Sequence, residues 1–282
     1  MINALYVLIL TSIACGLLGV FLNLRKLSML TDAISHTVLL GIVLAYFIVH
    51  DLDSPLLVIG ATLMGVVTVI LVEALGKSKL TKYEDAIGVI FPLLFSLAVI
   101  LISRYFRGVH LDTDVVLLGE VIFSSMVKIN VFGFEISKAL VSSMVLLFIV
   151  LAFILIFYKE LKVSTFDREY AKLIGIPVGF LFYALMTLTS FTAVASFNSV
   201  GAILVISFFI APSATSLLIT RHLHTTLISV IIISIINCTL AYYLAIYFNA
   251  SIAGMCAFIN MVTFLSVLIY NKYRMARRLK TL

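Results

Sequence analysis

Charged residues are scarce in this 282-residue sequence: Asp, Glu, Lys and Arg make up only 11%, against 63% hydrophobic residues and a mean hydropathy of +1.25. So little charge excludes a soluble globular chain and points to an all-α, polytopic membrane protein, built from apolar runs near the length a helix needs to cross a bilayer. Long polar segments are missing as well. Residues 1–282 therefore read as one transmembrane domain, and any ATP-binding or catalytic machinery must come from another chain. The three cysteines, Cys15, Cys238 and Cys256, sit inside apolar runs without Cys-x-x-Cys or Cys/His spacing, which excludes a thiolate metal or redox motif and makes them small core residues. A complete phosphate-binding loop is absent too: Gly76-Lys77-Ser78 resembles its end, but Leu71 stands where the motif needs glycine. Met1 to Leu24 has neither a basic leading segment nor a small-residue cleavage site, so it reads as a first span and not as a cleaved signal peptide.

What is present is a succession of apolar runs, at roughly 2–24, 27–49, 54–75, 84–103, 137–158, 178–198, 200–220, 226–248 and 251–270. Asn198, Gly201 and Pro212 interrupt the sixth and seventh, which leaves eight or nine spans. Lys and Arg fall unevenly between the runs. Arg25 and Lys26, then Lys77, Lys79 and Lys82, then Lys159, Lys162, Arg168 and Lys172, then Arg221, and the tail from Lys272 to Lys280 hold 15 of the 19. That side is expected to be cytoplasmic, so nine spans put the N-terminus outside and the C-terminus inside. The net charge of +6 then reports topology, and no nucleic-acid partner is implied.

Within this apolar frame, Asp32 and His36 stand four residues apart in what reads as the second span, which stacks both side chains on one helix face. Counted from Arg25 and Lys26, Asp32 lies about 10 Å and His36 about 16 Å along the axis. That is near the middle of a hydrocarbon core roughly 30 Å thick. A carboxylate and an imidazole suit manganese, iron or zinc, and a second copy of the chain would bring the ligands to four. The competing reading is an Asp–His hydrogen bond that locks helices together. Intramembrane charge usually marks a pathway, which favours the metal.

The loops on the expected outer side are acidic: Asp51 and Asp53 follow the second span, Asp112 and Asp114 the fourth, each pair with a histidine nearby. Carboxylates at a mouth concentrate divalent cations or dock a charged partner. Asp51 and Asp53 also qualify as a helix cap ahead of Ser54-Pro55. Between them and the fifth span, residues 107–137 are too polar to cross and too apolar for a plain loop, which suggests short interfacial or re-entrant helices. Glu84 and Asp85 open the fourth span, where acidic side chains favour a helix N-terminus. On the expected cytoplasmic side, Phe166-Asp167-Arg168-Glu169-Tyr170 up to Gly175 reads as a short capped helix. Asp167 starts it, Gly175 and Pro177 stop it, and Tyr170, Leu173 and Ile174 recur at helical spacing. Such a helix, joined to two spans, fits a groove on a partner protein.

In order along the chain, Leu24-Arg25-Lys26-Leu27-Ser28-Met29-Leu30, Asp32-Ala33-Ile34-Ser35-His36, Tyr83-Glu84-Asp85-Ala86-Ile87-Gly88, Ser164-Thr165-Phe166-Asp167-Arg168-Glu169, Val200-Gly201-Ala202-Ile203-Leu204-Val205 and Ala211-Pro212-Ser213-Ala214 resemble the zinc/manganese/iron-type ABC importer permease family. The resemblance spans about residues 15 to 270. It implies a bacterial plasma-membrane homodimer, a separate cytoplasmic ATP-binding cassette ATPase and an extracellular metal-binding protein that delivers the ion. It also implies metal passage at Asp32 and His36, and ATPase coupling through Phe166, Asp167, Arg168, Glu169, Tyr170 and Gly175. The chain itself would be no enzyme and hold no permanent cofactor. The transported ion is expected to be manganese first, then zinc or iron, because the ligands are oxygen and nitrogen with no thiolate near. The alternative is a proton-coupled secondary transporter. It would call for internal repeats, and none is evident. An intramembrane metalloenzyme is disfavoured because one Asp and one His are too few ligands and no His-Glu-x-x-His element occurs.

Overall fold

In hydrocarbon every backbone N–H and C=O must find a partner within the protein, so apolar runs of this length fold as helices. The computed structural model describes residues 2–51, 54–78, 82–105, 128–131 and 134–280. Its elements are α1 (Ile2–Leu24), α2 (Ser28–Val49), α3 (Pro55–Lys77), α4 (Tyr83–Tyr105), β1 (Lys128–Val131), β2 (Phe134–Ser137), α5 (Lys138–Ile156), α6 (Tyr158–Phe166), α7 (Arg168–Leu173), α8 (Val178–Val200), α9 (Ala202–Ile219), α10 (Leu223–Phe248) and α11 (Ile252–Lys280). Among the described residues, nine of these helices are long and apolar enough to span: all but α6 and α7. The doubtful sixth and seventh runs are two complete helices, α8 and α9, parted at Gly201, whose φ of 84° an L side chain rarely adopts.

Local chemistry sets the helix ends. Ser54, in extended backbone, caps α3 by accepting a hydrogen bond at Oγ from the Leu56 amide, and Pro55 occupies the first helical position. The cap expected from Asp51 or Asp53 thus belongs to Ser54, whose hydroxyl stands next to the first turn. Glu84 and Asp85 lie in the first turn of α4 as expected. Residues 128–131 and 134–137 differ from expectation. They form an antiparallel hairpin, with Lys128 opposite Ser137 and Val131 opposite Phe134, and not a short helix. Hairpin pairing satisfies the backbone across strands where the segment lacks a helical apolar face. The rest of 107–137 lies outside the described residues.

Helix α1 occupies the centre, buried along most of its length against α5, α9 and α10, while α2, α3 and α4 form a neighbouring group bridged to it by α8. Lipid is as apolar as leucine, so helices in a membrane adhere through small residues and polar contacts. Gly19 lets α1 approach the Phe209 carbonyl of α9, and Gly41 faces Gly60 where α2 crosses α3. A hydrogen bond of 2.7 Å from Thr68 to Thr37 ties the same α2–α3 pair. Asn237 donates to Asn260 at 2.8 Å and Asn260 to Ser207 at 3.1 Å, which pins α10, α11 and α9 together. Cys15, Cys238 and Cys256 are buried free thiols, in keeping with a packing role.

The crossing at Gly19 gives a direct test of this packing. A methyl there meets the Phe209 backbone, so Gly19→Ala is expected to destabilise by about 1–3 kcal/mol. Gly179→Ala, where a methyl meets nothing within 4 Å, is expected to stay within about 0.5 kcal/mol of the parent. Thermal melting of both purified variants in detergent checks the contrast; equal melting temperatures would contradict the close approach.

Candidate metal half-site and basic corner

Asp32 and His36 project from α2 on one face, with His36 Nε2 3.6 Å from Asp32 Oδ1. The neighbouring hydroxyls are buried and bond back to the helix: Thr31 to the Ser28 carbonyl at 2.6 Å and Ser35 to the Thr31 carbonyl at 2.7 Å. The His36 ring packs against two adjacent aromatic rings of α4, with centroids 5.1 Å from Phe91 and 5.8 Å from Phe95. Those rings wall one side of the imidazole. The other side is open: the Asp32 side chain is 46% exposed and that of His36 30%, in a stretch that is otherwise largely buried. Among the described residues no group of three or more His, Cys, Asp and Glu is placed to hold a metal. Among the described residues the pair thus presents one oxygen and one nitrogen donor side by side on an open face.

The sequence-predicted mouth residues are only partly placed. Asp51 is exposed just beyond α2, which ends at His50 in the left-handed conformation, φ 55°. Asp53, Asp112 and Asp114 lie outside the described residues.

The basic connections converge at one end of the bundle. There α6 and α7 meet at a corner, with Asp167 Oδ1 accepting the Tyr170 amide at 2.9 Å as the cap of α7 and Gly175, φ 82°, closing it. The Ile176 amide reaches back to the Ala171 carbonyl, which completes the stop expected from Gly175 and Pro177. Glu169 pairs with Lys172 at 2.8 Å. Phe166, Tyr170, Leu173 and Ile174 all turn outward, with Leu173 85% exposed. Beside them runs a shallow groove between α6 and α7, lined by Lys159, Lys162, Phe166 and Tyr170. This is an apolar patch with a basic rim on a very short helix, and it leaves its apolar side chains without cover.

Two features of this end escaped the sequence reading. The first is α6 itself, because nothing at Phe157 announces a break: no Gly or Pro separates it from α5. The second is Glu73, a buried carboxylate on α3. It pairs with Lys77 one turn on at 2.6 Å and accepts a hydrogen bond from the Tyr183 hydroxyl of α8. The Glu-to-Lys spacing of four was the available signal. Arg25, in the turn between α1 and α2, donates from Nε to Thr165 Oγ1 at 3.1 Å and from Nη2 to Ser164 Oγ at 3.0 Å. Burial, aided by the positive Arg168 nearby, pushes the Arg25 guanidinium down to about 10, so it remains charged at neutral pH.

The chain is similar along almost its whole length to known transport proteins. Over 279 residues it is 40% identical to the manganese transport system membrane protein MntD of Bacillus subtilis (strain 168), covering 97% of this chain and 94% of that one. Over 271 residues it is 39% identical to the zinc transport system membrane protein TroD of Treponema pallidum (strain Nichols), covering 96% of this chain and 74% of that one. Its fold matches PsaBC from Streptococcus pneumoniae, solved in complex with Fab, with a TM-score of 0.77 at 28% identity over 94% of this chain and 89% of that chain. The ABC 3 transport family profile matches residues 1–271, and the chain thus belongs to the ABC 3 transport family, as a membrane-spanning permease subunit.

Proposed function

We propose that this chain, one transmembrane domain from end to end, is the permease subunit of an ATP-driven importer for a divalent transition metal. Manganese is the first choice, then zinc or iron. The observation that carries the reading is the open Asp32–His36 pair on α2. An ionised carboxylate nearly half exposed at membrane depth is too unfavourable to face acyl chains, so a polar surface covers it. A second copy of the chain related by a twofold axis supplies that cover, and its own Asp and His bring the ligand set to four. The cation enters as cargo: the paired carboxylates offset its lost hydration, and the imidazoles complete its coordination during passage. The MntD likeness agrees with manganese and the TroD likeness with zinc. Both metals accept this oxygen and nitrogen set, and zinc binds it more tightly by intrinsic order, so geometry or delivery must favour manganese.

The remaining parts follow from orientation. The excess of Lys and Arg in alternate connections supports an orientation with those connections at the cytoplasmic end and the N-terminus outside, in a bacterial plasma membrane. At that end the exposed Phe166, Tyr170, Leu173 and Ile174, with Arg168 and Glu169, seat in a groove of a cytoplasmic ATP-binding cassette ATPase. At the opposite end Asp51, with Asp53, Asp112 and Asp114, raises local cation concentration and meets an extracellular metal-binding protein. The proton-coupled alternative loses ground because the family match runs through residue 271 and needs no self-sufficient chain.

Asp32→Asn and His36→Ala are each expected to reduce uptake at least about tenfold. Because neutralising a carboxylate at membrane depth relieves a desolvation cost, Asp32→Asn should assemble and melt at or above the parent temperature, and His36→Ala, which gives up a partly exposed ring, should still assemble. Normal metal accumulation by either well-folded variant would end the metal-site reading, and early melting with loss in proportion would assign the pair to structure.

Arg168→Glu, or Tyr170→Pro, is expected to uncouple ATP hydrolysis from uptake while the membrane domain stays folded. Co-purification of the ATPase with a chain lacking residues 166–175, at undiminished yield, would contradict the docking assignment.

Neutralising Asp51, Asp53, Asp112 and Asp114 together is expected to slow capture at low salt and matter little at high salt, since exposed charges act over about 10 Å at 0.1 M. Uptake rates across a salt series test this; loss of uptake from Asp112→Asn alone at every salt concentration would instead make Asp112 a ligand.

A further inference from the structure

The α1–α2 turn is short and rigid. Arg25, Lys26 and Leu27 return their amides to Phe21, Asn23 and Leu22 at 3.1, 3.0 and 2.8 Å, and Lys26 sits at φ 59°. Whatever displaces Arg25 therefore displaces the start of α2, and with it Asp32 and His36 farther along the same helix. The Arg25 guanidinium reaches the other way, to Ser164 and Thr165 in the last turn of α6. Those two residues immediately precede Phe166 and the Asp167 cap of α7, on which the exposed Tyr170, Leu173 and Ile174 depend. A planar guanidinium fork making two hydrogen bonds fixes direction as well as distance.

A second link runs in parallel. Arg168, the first residue of α7, acts electrostatically on Glu73 of α3, and α3 is locked to α2 by the Gly41–Gly60 crossing and the Thr68–Thr37 hydrogen bond. Arg168 also bears a like charge toward Arg25. The corner is thus held to the α1–α2 turn by two directed hydrogen bonds acting against a local like-charge repulsion.

We propose that Arg25 is the positioning residue that transmits movement of the α6–α7 corner to the metal-bearing face of α2. This rests on the reading of that corner as the ATPase seat. Arg25 touches neither cation nor nucleotide; it acts through the rigid turn. Ser164 and Thr165 are its acceptors, and their hydroxyls carry the link from the α6 side.

The test uses the full chain with its ATPase in liposomes, with manganese uptake and ATP hydrolysis measured in the same vesicles. Arg25→Ala removes two hydrogen bonds from a charged group and is expected to lower uptake per ATP by at least about tenfold, while ATPase docking and hydrolysis stay within about twofold. Ser164→Ala combined with Thr165→Val removes the two acceptors, with only the Ser164 bond to the Leu161 carbonyl lost beside them, and is expected to give the same loss with the Arg25 charge intact; it also decides the matter if Arg25→Ala does not fold. Arg25→Lys, which keeps the charge but not the fork, should recover part of the coupling. A parental uptake-to-hydrolysis ratio in the acceptor variant overturns the role of Arg25, as does a loss that merely follows lowered melting temperature and ATPase docking. Uptake by the parent chain without any ATPase overturns the functional reading instead, so the two failures are distinct.

Discussion

An ionised carboxylate cannot be left facing acyl chains, and the arrangement around Asp32 is a consequence of that constraint. Two aromatic rings of α4 close one side of His36, small and hydroxyl-bearing residues pack the buried faces of α2, and the side that stays open is the side that carries the charge. Because α2 and α3 cross at glycines and share a threonine hydrogen bond, this charged face is presented by a stiff two-helix unit and not by a helix free to roll. Rolling would turn Asp32 toward lipid.

The fold was legible where physics acts along the chain and less so where it acts across it. Span length is a local property, so all nine candidate spans were visible in hydropathy, and the ambiguity between α8 and α9 dissolved at one glycine with positive φ. The Asp167 cap and the Gly175 stop were read correctly because caps are made by side chains next to the helix they end. The cap of α3 went to Ser54 and not to the aspartates before it, since capping needs an oxygen one step from the first turn and a serine already stood there. The hairpin of 128–131 with 134–137 was missed although Lys-Ile-Asn-Val and Phe-Glu-Ile-Ser each alternate polar and apolar residues, because four residues are the shortest run on which a period of two can be read. Helix α6 was missed because no Gly or Pro marks the turn at Phe157.

The candidate site divides in the same way. Asp32 and His36 announce themselves by spacing and by their unexpected setting. Glu73 was passed over although it is the more buried carboxylate, because its partners, Lys77 and the Tyr183 hydroxyl, satisfy it within the fold. That difference is informative. A buried acid with a cation and a hydroxyl already in place serves as a clasp between α3 and α8, whereas an acid left half open, with only a histidine beside it, still has coordination to offer.

Distance along α2 then connects the two ends of the molecule. The basic corner, with its uncovered apolar side chains, lies at the end of the bundle where α2 begins, and the open Asp–His face lies partway up the same helix. A helix transmits axial and rotational displacement well because its backbone hydrogen bonds repeat every turn. Small movements at the corner need no relay through side chains once they reach the α1–α2 turn. The weakest joint in this path is therefore where helix meets helix across space, at the Arg25 contact with Ser164 and Thr165. There, three polar side chains stand in for continuous backbone, and substitution can part the two ends without unfolding either.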